Sequence, residues 1–83
     1  MIKILVMVNN QTLISEIEEV GADIGSPDCK LINPYEINQS TTTLEPWLLS
    51  VTRQDTFMIS SDKILTLVEP TPTLLEKYED LIN

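Results

Sequence analysis

The stretch VNNQTLISEIEEVG, residues 8–21, constrains the fold of this chain more than any other. Leu13, Ile14, Ile17 and Val20 lie one, four and seven residues apart, an amphipathic-helix spacing, and Gly21 follows where a helix would be capped. Asn9-Asn10 is equally a turn signal, after which a run with branched apolar residues can fold back on the strand before it. A helix here gives a β-α-β start with parallel pairing. A strand gives an antiparallel meander.

The surroundings favour the strand. Residues 2–8, IKILVMV, are rich in branched aliphatics and bounded by Asn9-Asn10, which predicts a buried strand. Residues 57–59 and 64–68 are two further β-rich runs around Ser60-Ser61-Asp62-Lys63, a hairpin pattern. DIGSPD at 23–28 is punctuated by Gly25 and Pro27 and reads as a loop. Residues 29–37, CKLINPYEI, read as a strand in which Pro34 requires an edge or a bulge, and 38–43 as a polar turn.

Extending residues 12–20 has a cost, because Leu13 and Ile17 share one parity while Ile14 and Val20 take the other. A bulge or sharp bend between Ser15 and Glu18 reconciles them, since one extra residue reverses the facing of all that follow. Strong bends of this kind are what small barrels need. Trp47, Leu49, Val51, Phe57 and Ile59 also share a parity, which suits either one bent strand interrupted at 53–55 or two strands joined there.

The C-terminal run TPTLLEKYEDLIN predicts a helix over about 72–82. Thr71 or Thr73 can cap it, Pro72 suits its first turn, and Leu74, Leu75, Tyr78, Leu81 and Ile82 form an apolar stripe. So short a helix is marginal in isolation, and the stripe must dock on something.

At this point two blocks resemble the Sm and Sm-like (LSm) family. VMVNNQTLISEIEEV is similar to the first family motif, with Leu13, Ile14, Ser15, Glu16 and Ile17 in its hydrophobic-hydrophobic-small-polar-hydrophobic core, and CKLIN is similar to that motif's later part. FMISSDKILTL resembles the second motif. The resemblance implies an all-β fold, a small five-stranded bent antiparallel Sm-like (SH3-like) barrel with a C-terminal helix, in a single domain spanning 1–83 with strands over about 2–69.

The family's RNA pocket uses a stacking aromatic, a nearby Asn and the Arg of an Arg-Gly pair. By position these roles fall on Asp28, Lys30 and Ser60, with Ser61 replacing the Gly, while Asp62 is retained and followed by Lys63. None of the three keeps its residue type, so the usual pocket is altered, although Lys30 and Lys63 remain able to contact phosphate or base edges. The implied nucleic-acid-binding set is Asp28, Lys30, Ser60, Ser61, Asp62 and Lys63.

A partly open barrel exposes strand edges that recruit neighbours, and a head-to-tail contact repeated by rotation closes into a ring. The run Ile64, Leu65, Thr66, Leu67 and Val68 is the natural subunit interface, ended by Pro70. The expected partners are therefore copies of the chain itself and RNA or single-stranded DNA. A homo-oligomeric ring of this kind multiplies weak sites by multivalency.

Composition narrows the other classes. Thirteen acidic and five basic residues leave a net charge of −8, which opposes broad binding to phosphate backbones or anionic membranes. Cys29 is the sole cysteine and histidine is absent, so there is no intrachain disulfide and no thiol or imidazole zinc cluster, in keeping with a reducing cytoplasm. The apolar run at 4–8 is too short to span a bilayer.

No catalytic constellation is legible, so neither an enzyme nor a cofactor is expected. Glu16, Glu18, Glu19, Asp23 and Asp28 match no EF-hand or glycosidase spacing and read as a solvated face. Ser60-Ser61-Asp62 lacks a histidine or nucleophile elbow and reads as turn chemistry. Trp47 and Tyr35 can stack on bases but read first as core or interface aromatics, and Cys29 as a small buried hydrophobe. Two alternatives stand beside the nucleic-acid ring: an acidic protein-interaction scaffold, and a β-α-β regulatory domain should 11–20 be helical.

Overall fold

A computed structural model describes residues 1–21 and 23–83. It resolves the ambiguous segment as extended. β1 (Ile2–Met7) and β2 (Thr12–Glu19) form a hairpin in which Ile4 lies opposite Ile14 and Leu5 opposite Leu13. Asn10 turns the corner at φ 71, and the Asn9 side chain accepts a hydrogen bond from the Gln11 amide. The β-α-β alternative is thereby overturned, because tertiary pairing on both flanks of β2 outweighs a helical periodicity carried by four residues.

The remaining elements are β3 (Cys29–Asn38), β4 (Thr43–Pro46), β5 (Thr56–Ile59), a 3-10 turn (Ser61–Lys63), β6 (Ile64–Val68) and α1 (Pro72–Ile82). The antiparallel sheet runs β4-β3-β2-β1-β6, with β5 on β3 as well. It has six strands where five were expected, and it is open between β5 and β6. The expected hairpin at 57–68 is also absent: β5 pairs with β3, β6 pairs with β1, and the 3-10 turn carries the chain from one edge of the sheet to the other.

That connection forces the sheet to curl. In a flat sheet the β5 and β6 positions would lie about 19 Å apart, four strand spacings of roughly 4.8 Å. A 3-10 turn advances only about 2 Å per residue, so the link from Ile59 to Ile64 closes only if the edges bend toward each other. Asp28 N–H donating to Ile59 O at 3.2 Å and Val8 N–H donating to Lys63 O at 3.0 Å fix the two ends of the link.

The bend originates at Asn33-Pro34. Along the β2–β3 ladder Ile14 faces Tyr35 but Glu16 faces Ile32, so two β3 residues stand opposite Ser15 alone. The extra residue expected near Ser15 is thus carried by the partner strand, where Asn33 takes φ 53, a conformation that asparagine tolerates better than most residues. Pro34 needs no ladder hydrogen bond here, which is how it survives in an interior strand. The bulge also divides β3: residues 29–32 receive β5, and residues 35–38 receive β4.

Each face of the sheet is apolar. One carries the fully buried Leu5, Leu13 and Leu31, with Met7 beside them and Ile17, Trp47, Phe57, Ile59 and Ile64 packed around. The other carries Ile4, Ile14 and Tyr35 in register. There Tyr78 of α1 is completely buried, its ring edge-on to Tyr35 at 5.8 Å. The helix begins as expected, with the Thr71 hydroxyl accepting from the Leu74 amide and Pro72 in the first turn. Of its stripe, Leu81 remains half exposed.

Between β4 and β5 the chain leaves the sheet, so this stretch is two strands separated by a turn. Trp47 reaches the core and packs edge-on against Phe57 at 5.3 Å, its indole N–H buried without a hydrogen-bond partner among the described residues. Leu48 at φ 60 then reverses the backbone, and Leu49 and Val51 point to solvent despite sharing Trp47's parity. Alternation ends where the ladder ends.

Candidate functional site

The two loops singled out by the sequence meet. Asp28, at the entrance to β3, accepts hydrogen bonds from both the amide and the hydroxyl of Ser61, each at 2.7 Å. The pair is assembled by the β3–β5 ladder, which brings Ile59 opposite Cys29 and so sets the following turn beside the preceding loop. The Ser61 hydroxyl and then its amide hold the Asp28 carboxyl below the ordinary carboxylate range. A fixed anion therefore stands at the entrance to β3.

Lys30 lies opposite Glu18 on β2 and Met58 on β5, on the face away from Cys29 and Leu31. Lys63 closes the 3-10 turn, its amide donating to Ser60 O at 3.0 Å, and it borders a cavity of about 340 Å³ with Val8, Asn9, Trp47 and Ser60. Among the described residues neither lysine forms an ion pair. Asp62 sits exposed in the same turn. Within the chain, then, Asp28, Ser60 and Ser61 are gathered at one knuckle, whereas Lys30 lies two residues along β3 between Glu18 and Met58.

Cys29 follows Asp28 into the strand and is buried. Burial first, then the charges of Asp28 and Glu19, push its thiol pKa up, the opposite of what a nucleophilic cysteine requires. Among the described residues no three carboxylate or thiol groups converge as metal ligands, and no helix is long and apolar enough to cross a membrane.

The expected interface strand is exposed as an edge. Among the described residues β6 pairs with β1 alone, and the register slips between Val6 and Met7 so that Leu65 has no opposite number and is 68% exposed. Leu67 and Val68 are also exposed. On the far side of the sheet β4 and β5 each pair only with β3.

Two features escaped the sequence reading. One is a cleft of about 630 Å³ beside β6, bordered by Met1, Lys3, Ile17, Glu19, Cys29 and Leu67. The Lys3 ammonium is engaged there by Glu69. The other is the Tyr78 hydroxyl, which reaches the β2–β3 bulge and so seats α1 on the irregular point of the central ladder. Its signal in the sequence was a single tyrosine in an otherwise aliphatic stripe.

No curated protein matches the chain. A family profile does, over residues 1–83, and the chain accordingly belongs to the family of unknown function DUF6561.

Proposed function

We propose that this chain is a non-catalytic, Sm-like subunit that assembles with copies of itself into a ring and binds RNA or single-stranded DNA there. The observation that carries the reading is the curled sheet with two unsatisfied outer edges, β6 on one side and β4 with β5 on the other. Unpaired N–H and C=O groups on exposed apolar strands recruit further strands, and two different edges on one subunit give a head-to-tail contact. The altered barrel of the Sm-like class, six-stranded and open, is part of the same proposal, as is a reducing cytoplasm for a chain with one unpaired cysteine.

In such a ring every subunit supplies one copy of the Asp28–Ser61 knuckle, with Ser60, Asp62, Lys30 and Lys63 nearby in sequence. Lysines that are too few in one subunit become a basic ring by repetition. The test combines light scattering with size exclusion and fluorescence anisotropy with oligo-U and oligo-A at low salt. Assembly and binding that falls in a Lys30→Ala, Lys63→Ala double variant support the reading. A monomer at micromolar concentration removes the ring, and an assembled protein with no binding at low salt removes the nucleic acid.

A second reading has its own observation. Net charge is −8 and the anionic Asp28 occupies the stacking position, which favours an acidic scaffold ring that receives a basic protein segment. Assembly without oligonucleotide binding is its signature.

A further inference from the structure

The two free edges of the sheet carry different features. Beside β4 and β5 the 47–51 turn projects Leu49 and Val51, which are 62% and 76% exposed. Arg53 follows, exposed and in no ion pair among the described residues. Beside β6 lies the cleft of about 630 Å³, apolar at Met1, Ile17 and Leu67; its Lys3 is already paired with Glu69, whereas its Glu19 has no cationic partner among the described residues. A knob stands on one edge and a socket on the other.

We infer that Leu49 and Val51 of one copy enter the cleft of the next copy, with Arg53 against Glu19 at its rim. The inference rests on the head-to-tail assembly proposed above and names the contact that would fix its register.

Strand direction places the knob at the right end. If β5 of one copy continues the sheet antiparallel to β6 of the next, the residues preceding β5 lie beyond Val68. In β1 the residues beyond Val68's partner Ile4 are Lys3, Ile2 and Met1, which is where the cleft opens. The 47–55 segment therefore travels toward the cleft as a direct result of edge pairing. Backbone pairing alone leaves strand register weakly specified, and a side-chain knob in a socket would specify it.

The contact also accounts for exposed aliphatic residues that a lone subunit leaves unexplained. Leu49 and Val51 are largely exposed in their own chain, yet the turn holding them is fixed by Val51 and Thr52 amides donating to Leu48 O, both at 3.0 Å. A rigid turn presenting apolar side chains loses little conformational freedom on docking. The uncompensated Arg53 and Glu19 add a charge match that is favourable only in the assembled state.

The experiment uses the full chain in a Cys29→Ser background. Leu49→Cys is combined with Leu67→Cys, and separately Val51→Cys with Leu67→Cys; these positions are exposed in the single subunit. Mild oxidation followed by non-reducing electrophoresis is expected to yield covalent dimers and higher ladders in at least one pair. In parallel, Arg53→Glu is expected to weaken assembly at least tenfold by light scattering, and adding Glu19→Arg to restore it.

The double variant Leu49→Asp, Val51→Asp is expected to weaken assembly about a hundredfold, the loss of two buried aliphatic side chains, while circular dichroism stays that of the wild type. An assembled wild type in which neither cysteine pair cross-links and the two aspartates leave assembly unchanged overturns the knob-and-cleft contact while sparing the ring. A monomeric wild type overturns the ring itself, and the contact with it.

Discussion

The Tyr78 hydroxyl oxygen accepts a hydrogen bond from the Glu16 amide at 3.2 Å, tying the C-terminal helix to the one irregular point of the central ladder. The same hydroxyl lies 2.9 Å from Asn33 O and 3.2 Å from Ile32 O, and the Ser15 hydroxyl lies 3.1 Å from Ile32 O. A bulge withdraws backbone groups from their ladder partners, and in a buried setting those groups must be met by something else. Here two hydroxyls meet them. The helix is thus attached by chemistry that only the bulge makes available.

Tyr78→Phe tests that attachment. The ring and its packing on Tyr35 remain, but the Glu16 amide and the Asn33 carbonyl each lose a partner, at a cost of about 1–3 kcal/mol. For a domain of this size each kcal/mol lowers Tm by roughly 4–8 °C. Differential scanning calorimetry of the two proteins gives the number, and an unchanged Tm would show the hydroxyl to be dispensable.

The same residue carries an alkaline signature. Burial, the largest influence, pushes the Tyr78 pKa above its ordinary value in the folded state. A raised folded-state value means that its contribution is intact below the unfolded tyrosine pKa of about 10 and declines as pH rises from there through the folded value. The stability gap between wild type and Tyr78→Phe is therefore expected to narrow above about pH 10. Urea unfolding at pH 8 and at higher pH compares the two windows.

At Asn33 the backbone is in the left-handed region, φ 53. Asn33→Gly should be close to neutral, whereas Asn33→Val should destabilise by about 1–2 kcal/mol because a branched Cβ crowds the backbone there. The order of the two variants in chemical denaturation is the diagnostic.

Asp28 and Ser61 predict the acid limb. Their hydrogen bonds lower the folded-state pKa of Asp28, so the stability they contribute is present above the ordinary carboxylate range and is lost as pH falls through the lowered value. Ser61→Ala removes the hydroxyl contact and leaves the amide. Wild type should exceed Ser61→Ala in stability at neutral pH, with the difference shrinking below about pH 4.

Cys29 is expected to react slowly with a thiol reagent at neutral pH and rapidly once the chain is unfolded. It is 5% exposed and burial raises its thiol pKa. The rate in native buffer against that in denaturant is the measurement, and equal rates would mean that the strand end is open in solution.

Much of this fold is legible because strongly apolar runs leave little choice. IKILVM, ILTLV and the helix with its Thr71 cap and Pro72 are found where periodicity and capping place them. β2 was ambiguous because Leu13 and Ile14 are both buried, one on each face of the sheet, a pattern that imitates a helical stripe. The supposed hairpin at 57–68 failed for a related reason: local sequence marks strands and the turn between them, but partners are chosen by edges distant in the chain.

The candidate site was legible only in part. Asp28 and Ser61 belong to quoted motifs, and the ladder between β3 and β5 brings them together. The cleft is invisible in one dimension, because its walls come from β1, β2, β3 and β6. Leu49 and Val51 share Trp47's parity yet are exposed, because parity marks a common face only while a ladder holds.

The ladder that holds β6 is made with β1, across a sequence separation of roughly sixty residues. Closing so long a loop is slow, so β6 should be the final strand captured in refolding and the earliest released on unfolding. A strand whose partner lies so distant in the chain is also one that two molecules can trade. At high concentration the chain should accordingly be prone to domain swapping, with β6 and α1 of one molecule completing the sheet of another.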